Sequence, residues 1–311
     1  MSITTSLYQS TLKSSDTEEF IDLWFYRPLG FRTALLAAKL HITPNMITVA
    51  SIFIGAIAGV LFYYNDLWIN FIGMLFLVVA NLFDSTDGQL ARLTGNKTQL
   101  GRILDGLAGD VWFVIIYIML ALRVVHSGFY GWSGAWIWTI VVAAGISHIQ
   151  QAAIADYYRN IHLYFLGRGK GGEYDNSRHI NEEIKSCSFR HQPVKKVMLW
   201  FYRNYTLQQE ALTPNFQRFI AKVNAAYPTN ELPEELCTAF RAGSKPLMKY
   251  TNILQFNTRV IALFICLFLK QPFLYFFFDI IVLNAIMLYM IIRHEKMCKD
   301  FYTNRTNIIY K

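Results

Sequence analysis

The feature that most limits what this chain can fold into is a set of six apolar runs, at residues 45–64, 68–83, 111–125, 132–155, 260–269 and 272–292. About 20 apolar residues in a helix cross the roughly 30 Å of bilayer hydrocarbon. Inside lipid every backbone N–H and C=O must be satisfied within the chain, which leaves helices or closed barrels. Unbroken runs of this length read as helices, so the runs predict an all-α integral membrane protein with six transmembrane helices. Composition agrees: 16% of the residues are charged, where soluble domains carry about a quarter. The third and fifth runs are short because one end of each is polar. Residues 1–20 are polar and lack an apolar core, so no cleaved signal peptide is expected.

Orientation follows from Lys and Arg. With six spans and both termini inside, the outer loops hold only Arg123 and Lys270 among the 29 basic residues. This predicts a multi-pass protein of the inner or cytoplasmic membrane with both termini cytosolic. The net charge of +8 then describes a basic inner surface facing anionic lipid, which attracts it by about 1 kcal/mol per nearby Lys or Arg. No basic-aromatic module points to nucleic acid. Cys187, Cys237, Cys266 and Cys298 lack metal-ligand spacing and read as inert thiols.

Four regions are expected. Residues 1–43 form an N-terminal segment whose Phe20, Leu23 and Trp24 make an apolar face, broken at Pro28 and continued by Leu35, Leu36 and Leu40. Such a segment lies in the interface plane as an amphipathic helix. Residues 44–164 hold spans one to four; Thr43 and Pro44 open the first as cap and first-turn residue. Residues 165–249 lack apolar runs and form a small cytosolic helical insertion, and residues 250–311 hold the last two spans and the C-terminus.

Against this apolar background stands FDSTDGQLARLTGNKTQLGRILDGLAGDVWF, from Phe83 to Phe113. At 100° per residue Asp84, Asp87, Gly88 and Ala91 share one helix face. Two carboxylates one turn apart repel unless a cation lies between them, and oxygen-only ligands suit a hard ion such as Mg²⁺ or Mn²⁺. Gly88 and Ala91 keep bulk away, so a ligand can approach the backbone. Residues 94–98 turn the chain, and Gly101 and Asp105 lie on one face of the next helix, which aims acids at acids. An aspartate within the membrane costs about 2.5–3.5 kcal/mol on insertion scales, so the cluster demands a reason. The bland alternative is solvated helix ends paired with Arg92, Lys97 and Arg102.

The stretch resembles the signature of the CDP-alcohol phosphotransferase (CDP-alcohol phosphatidyltransferase) family, carried here by Asp84, Asp87, Gly88, Ala91, Arg92, Gly101 and Asp105, with Thr43, Pro44, Asn45 and Thr48 at the first span. The likeness extends over the six spans and not over the insertion. It implies a CDP-linked donor bound at a two-ion Mg²⁺ or Mn²⁺ site facing the cytosol, in a six-helix protein that forms homodimers. An alcohol hydroxyl attacks the phosphorus distal to cytidine, and CMP leaves. Carried over residue by residue, Asp84, Asp87 and Asp105 hold metal. Asp84, Gly88, Ala91, Arg92, Gly101 and Asn45 bind nucleotide, and Asp105 serves catalysis.

One position departs from the signature. Where the family has its last aspartate, this chain has Gly109, followed by Asp110. Residue i+5 lies 140° from i on a regular helix, facing away, and a π-bulge would turn it back. Gly106 and Gly109 make such a bulge affordable, so Asp110 is expected to complete the metal and catalytic set through an over-wide third helix. A different base, or an inactive relative, are the other readings.

Polar groups on later helices complete the expectation. His148, Ala152, Ala155, Arg159 and His162 fall near one stripe of the fourth helix with Asp156 beside it, and His148 reads as structural. Asn252, Gln255 and Arg259 share a face at i, i+3 and i+7 of the fifth. Arg159, Arg259, Asn252 and Gln255 are the expected acceptor-binding residues. Asp279 is assigned to helix packing.

The expected activity is transfer of a phosphatidyl group from CDP-diacylglycerol to a polar alcohol. Arg159, Arg259, Arg168 and Lys170 point to a phosphorylated acceptor such as an inositol phosphate, in the manner of phosphatidylinositol-phosphate synthases. The alternatives are phosphoaminoalcohol transfer from a CDP-aminoalcohol to a lipid hydroxyl, or a catalytically silent membrane scaffold.

Overall fold

The computed structural model describes residues 3–12, 14–96, 98–128, 134–169, 175–189, 192–229 and 231–304. Among them the regular structure is helical throughout, with no strand. In chain order the helices are α1 (Ile3–Ser10), α2 (Arg27–Lys39), α3 (Pro44–Leu61), α4 (Leu67–Thr94), α5 (Gln99–Ser127), α6 (Gly134–Leu166) and α7 (Ser177–Ser186). There follow α8 (Pro193–Ala211), α9 (Pro214–Ala226), α10 (Glu234–Ser244), α11 (Met248–Ile253), α12 (Phe256–Phe268), α13 (Phe273–Phe277) and α14 (Asn284–Thr303). Among the described residues six stretches are long and apolar enough to cross a membrane: Pro44–Leu61, Leu67–Thr94, Leu104–Ser127, Trp136–Leu166, Glu234–Phe268 and Phe273–Thr303. The protein is an all-α integral membrane protein.

α4 and α5 are longer than the apolar runs they contain. α4 continues as one rod to Thr94, past the run that ends at residue 83, and α5 begins at Gln99, ahead of the run that starts at residue 111. The acids therefore sit on rigid helix, not on loop. The fifth stretch is not one regular helix: the chain turns at Leu254 and Gln255 between α11 and α12.

The chain divides into two compact units. The first comprises Met1–Ile149 and Asn257–Ile281. Here small residues let backbones approach, as membrane helix packing requires. The indole of Trp112 occupies the space where a side chain on Gly55 would stand, and a Cβ on Gly59 would lie 2.8 Å from Ile115 Cγ2. Away from the acids, Arg123 closes the α3–α4 turn by donating to Phe62 O at 3.0 Å, Asn70 Oδ1 at 3.1 Å and Asn65 Oδ1 at 2.8 Å. That network explains how an arginine within α5 is tolerated.

The N-terminal segment belongs to this unit. Gly30, Phe31, Ala34 and Ala37 of α2 are buried, and Ala34 and Ala37 join Ile47 and Leu90 in one apolar cluster. A Cβ on Gly30 would lie 2.5 Å from Gln89 Oε1, so α2 and α4 approach closely here and a larger residue would displace the Gln89 side chain. Arg27 pairs with Glu18 at 2.9 Å. The outer face exposes Phe20 and Trp24 (79% and 78%) with Leu36 and Leu40.

The second unit comprises Gln150–Phe256 and Val282–Lys311, so the region of residues 165–249 is built together with the second half of α6 and with α14. Its core is aromatic: Phe165 and Phe240 stack at 3.9 Å, and Phe216, Phe219 and Phe301 close around them. Glu295 of α14 caps α9 by accepting from Asn215 N at 2.6 Å and Phe216 N at 3.2 Å.

Candidate active site

Three helix ends make the site. α3 starts at Thr43, extended in backbone, whose side chain accepts from Met46 N at 3.4 Å. α4 stops at Gly95, whose φ of 71° is the left-handed conformation that glycine adopts without penalty. α5 restarts at Thr98, whose hydroxyl accepts from Gly101 N at 3.0 Å. These caps fix where the acids of α4 and α5 lie along their helices.

One carboxylate oxygen from each of Asp84, Asp87 and Asp105 lies within 4.8 Å of the other two. Asp87 is buried at 3% exposure, while Asp84 and Asp105 are partly open. Thr48 of α3 lies beneath, its hydroxyl donating to Asp87 Oδ2. Three carboxylates this close are unfavourable without a positive charge among them, and an all-oxygen set fits a hard divalent cation. The donor set thus fits the group that the motif implies.

The neighbouring small residues divide into two kinds. A Cβ on Gly88 would meet only the guanidinium of Arg92, at 3.5 Å, an ordinary contact. The space above Gly88 is therefore open to a ligand. Gly101 is different: a Cβ there would lie 2.9 Å from both Asn45 Oδ1 and Thr98 Oγ1, so packing of α3 on α5 already demands glycine. Arg92 donates from Nε to the carbonyl of Thr11 at 2.6 Å, and its buried Nη2 has no hydrogen-bond partner among the described residues. A buried guanidinium nitrogen left without an acceptor beside an open floor fits an anionic ligand.

Asp110 does not join the cluster. α5 is regular α-helix over its whole length, without the expected π-bulge, so five residues carry Asp110 140° around the helix from Asp105. The charged group that acts on it is Arg259. A Cβ at Gly106 or Gly109 would meet no neighbouring side chain or other helix within 4 Å. Lys97 and the side chain of Arg102 lie outside the described residues, so the bland pairing is described only for Arg92.

The expected acceptor residues separate. In the second unit the Arg159 guanidinium donates to Gln255 Oε1. Asn252 lies on α11 with its Oδ1 3.5 Å from Thr251 Oγ1. In the first unit Arg259 is fully buried and forms an ion pair with Asp279, which also accepts from Tyr117 Oη at 2.9 Å. The single stripe of Asn252, Gln255 and Arg259 assumed a regular helix, and the turn at Leu254–Gln255 breaks that register. Asp279 does serve packing, with Arg259 as its partner, and the Tyr117 hydroxyl lies 3.2 Å from His148 Nδ1. Lys170 lies outside the described residues.

Sequence reasoning missed Thr48 as the support of Asp87 and the N-terminal segment as the brace of Arg92. The first had a signal in the threonine four residues after Pro44; the second had none.

Comparison with known proteins gives the same location. Residues 41–170 match the family model described as CDP-alcohol phosphatidyltransferase. The chain is 34% identical over 91 residues to the CDP-diacylglycerol–serine O-phosphatidyltransferase of Helicobacter pylori, covering 29% of this chain and 37% of that protein. It is 32% identical over 77 residues to the CDP-diacylglycerol–glycerol-3-phosphate 3-phosphatidyltransferase of Rickettsia typhi, covering 25% and 43%. The Rickettsia prowazekii protein of the same name matches at 32% over 77 residues, covering 25% and 42%. The chain thus spans about two fifths of the length of the curated relatives it matches. The matched region carries all three clustered acids, and over it the chain is similar to the CDP-alcohol phosphatidyltransferase family.

Proposed function

We propose that this protein transfers a phosphatidyl group from CDP-diacylglycerol to the hydroxyl of a small polar alcohol, releasing CMP. The observation that carries the reading is the convergence of Asp84, Asp87 and Asp105 beside the open floor at Gly88. The names of the relatives favour the donor, because CDP-diacylglycerol stands in each. A CDP-aminoalcohol donor has no such support.

Asp84, Asp87 and Asp105 would hold divalent metal, Mg²⁺ or Mn²⁺, which supplies charge neutralisation at the pyrophosphate and at departing CMP. Gly88 and Ala91 admit the nucleotide to the backbone of α4. Arg92 offers Nη2 to a phosphate oxygen. The acceptor oxygen forms the new bond to the lipid-side phosphorus as the bond to the CMP oxygen breaks. Its proton passes to a partly open carboxylate, for which Asp105 is the candidate. The Lys and Arg distribution supports placing this end of the helices and both termini in the cytosol.

Relatives name serine and glycerol-3-phosphate as acceptors, so acceptor identity within the family is open to variation. A phosphorylated acceptor, with inositol phosphate as an example, rests here on Arg159, since Arg259 is committed to Asp279. A silent relative is the rival reading, favoured by the absence of Asp110 from the cluster.

The test uses purified protein, Mn²⁺, CDP-diacylglycerol or CDP-choline, and a panel of serine, glycerol-3-phosphate and inositol phosphate. CMP and lipid product are read by mass spectrometry. Alcohol-dependent CMP release from CDP-diacylglycerol, lost in Asp87→Asn, supports the reading. CMP release from neither donor overturns it in favour of a scaffold.

A further inference from the structure

We propose that α8, in the region outside the family match, is a bilayer anchor with its outer apolar face in lipid. The observations behind this concern burial, depth and charge.

Burial divides α8 sharply. Leu199, Thr206 and Gln209 face inward and are buried. On the opposite face Phe201 is 60% exposed and Trp200 49%, with Val197 before them and Leu207 after. The preceding Phe189 is 64% exposed. A contiguous exposed face of this many large apolar side chains is uncommon on a water-facing surface. The exposure runs through both halves of the helix, so the whole face needs a cover rather than one end.

Depth comes from α6. Its apolar sequence starts at Trp136, and its first charged residue is Asp156. The intervening 20 residues correspond to about 30 Å of helix, one hydrocarbon thickness. Residues 153–157 therefore mark a membrane boundary. α8 is tied there: Gln209 Nε2 donates to the carbonyl of Ala153 at 2.8 Å. Just beyond α8, Gln217 Nε2 of α9 donates to Tyr157 Oη at 2.7 Å. The C-terminal part of α8 is held at that depth, and its uncovered apolar side there meets lipid.

Charge selects the bilayer over a second copy of this chain. α8 carries Lys195, Lys196 and Arg203 against the single acid Glu210, a net positive helix suited to anionic lipid, although Lys195 pairs with Glu183 and Lys196 donates to Cys187 O at 3.0 Å. Trp200 supplies the ring type that concentrates at membrane interfaces.

Because the four native cysteines are buried, single labels can be placed on the full chain in phosphatidylglycerol-containing proteoliposomes. A nitroxide is attached to Phe201→Cys, Leu207→Cys and, as a control on exposed Glu182, Glu182→Cys. Collision with lipid-soluble oxygen is compared with collision with a water-soluble nickel chelate. The oxygen-to-nickel ratio is expected to be several-fold higher at 201 and 207 than at 182. Repeating it in phosphatidylcholine alone separates apolar insertion, which persists, from purely electrostatic contact, which lapses and counts against the proposal. Ratios like that of the control overturn the proposal, as does a label shielded from both reagents, which would mean a protein partner. If a cysteine variant does not fold, brominated lipid read on the native chain against Trp200→Phe serves. Loss of a quenched component in Trp200→Phe supports lipid contact, and unchanged quenching overturns it.

Discussion

Thr48 and Asp87 face each other across the α3–α4 contact, the threonine hydroxyl donating to the one fully buried carboxylate of the cluster. The first span thus does more than cross the membrane, since it sets the orientation of an acid on the second. Thr48→Val keeps the shape and removes the donor. Outer-sphere partners of metal ligands are worth about 10–100-fold in affinity or activity. Mn²⁺ titration of CMP release should therefore shift its midpoint upward by about tenfold, while thermal unfolding of the metal-free protein changes little.

Two glycines of the motif should respond in opposite ways. Gly101→Ala places a Cβ 2.9 Å from Asn45 Oδ1 and Thr98 Oγ1, and overpacking of this kind costs about 1–3 kcal/mol. Gly88→Ala meets only the Arg92 guanidinium, at 3.5 Å. Differential scanning measurements should show a lowered Tm for the first and an unchanged Tm for the second. The second should nonetheless raise the CDP-diacylglycerol KM, because its methyl fills the ligand's space.

Arg259 and Asp279 test whether a polar residue in a span serves packing or substrate. Asp279→Ala leaves a buried guanidinium without its carboxylate, a loss of about 3–5 kcal/mol. Replacing both, Arg259→Met with Asp279→Leu, should recover most of that stability, since apolar substitutes for a buried pair are often neutral or better. Retained acceptor KM in the double variant would place the pair in structure. A KM raised several-fold would return Arg259 to acceptor binding.

The N-terminal segment is expected to brace Arg92. Thr11 O accepts from Arg92 Nε, and Gly30 presses on Gln89. Gly30→Leu should lift α2 from α4, seen as faster proteolysis between residues 11 and 27. CMP release should fall without loss of the spans.

Much of this was legible in the residues themselves. Long unbroken apolar runs lack the alternation a membrane barrel needs, so the spans follow from length and pattern. Asp84, Asp87 and Asp105 followed from helical period and a turn with a glycine in it. The rest depended on facts that period does not carry. Asn252, Gln255 and Arg259 share a face only if the helix is unbroken, and the chain turns at Gln255. The π-bulge expected beside Gly106 and Gly109 is absent, while π turns occur at Asp22–Tyr26 and Phe278–Leu283. Glycine permits a distortion without supplying a reason for it. Contacts between distant segments, Thr11 with Arg92 above all, depend on tertiary packing that no local pattern encodes.

The overrun of α4 and α5 beyond their apolar runs acts as a ruler. Counted from Leu67, Asp84 and Asp87 stand 17 and 20 residues along α4, about 26 and 30 Å at 1.5 Å per residue. Counted back from Ser127, Asp105 stands 22 residues along α5, about 33 Å. Two helices measured from the far side of the bilayer arrive at the same height, that of the hydrocarbon edge. The proposed donor, its acyl chains anchored in the leaflet, would hold its phosphate at that height and present its phosphorus without leaving the membrane. Lengthening or shortening either rod by one residue would turn its acids by 100° and move them 1.5 Å. The bilayer thickness is in this sense a dimension of the site.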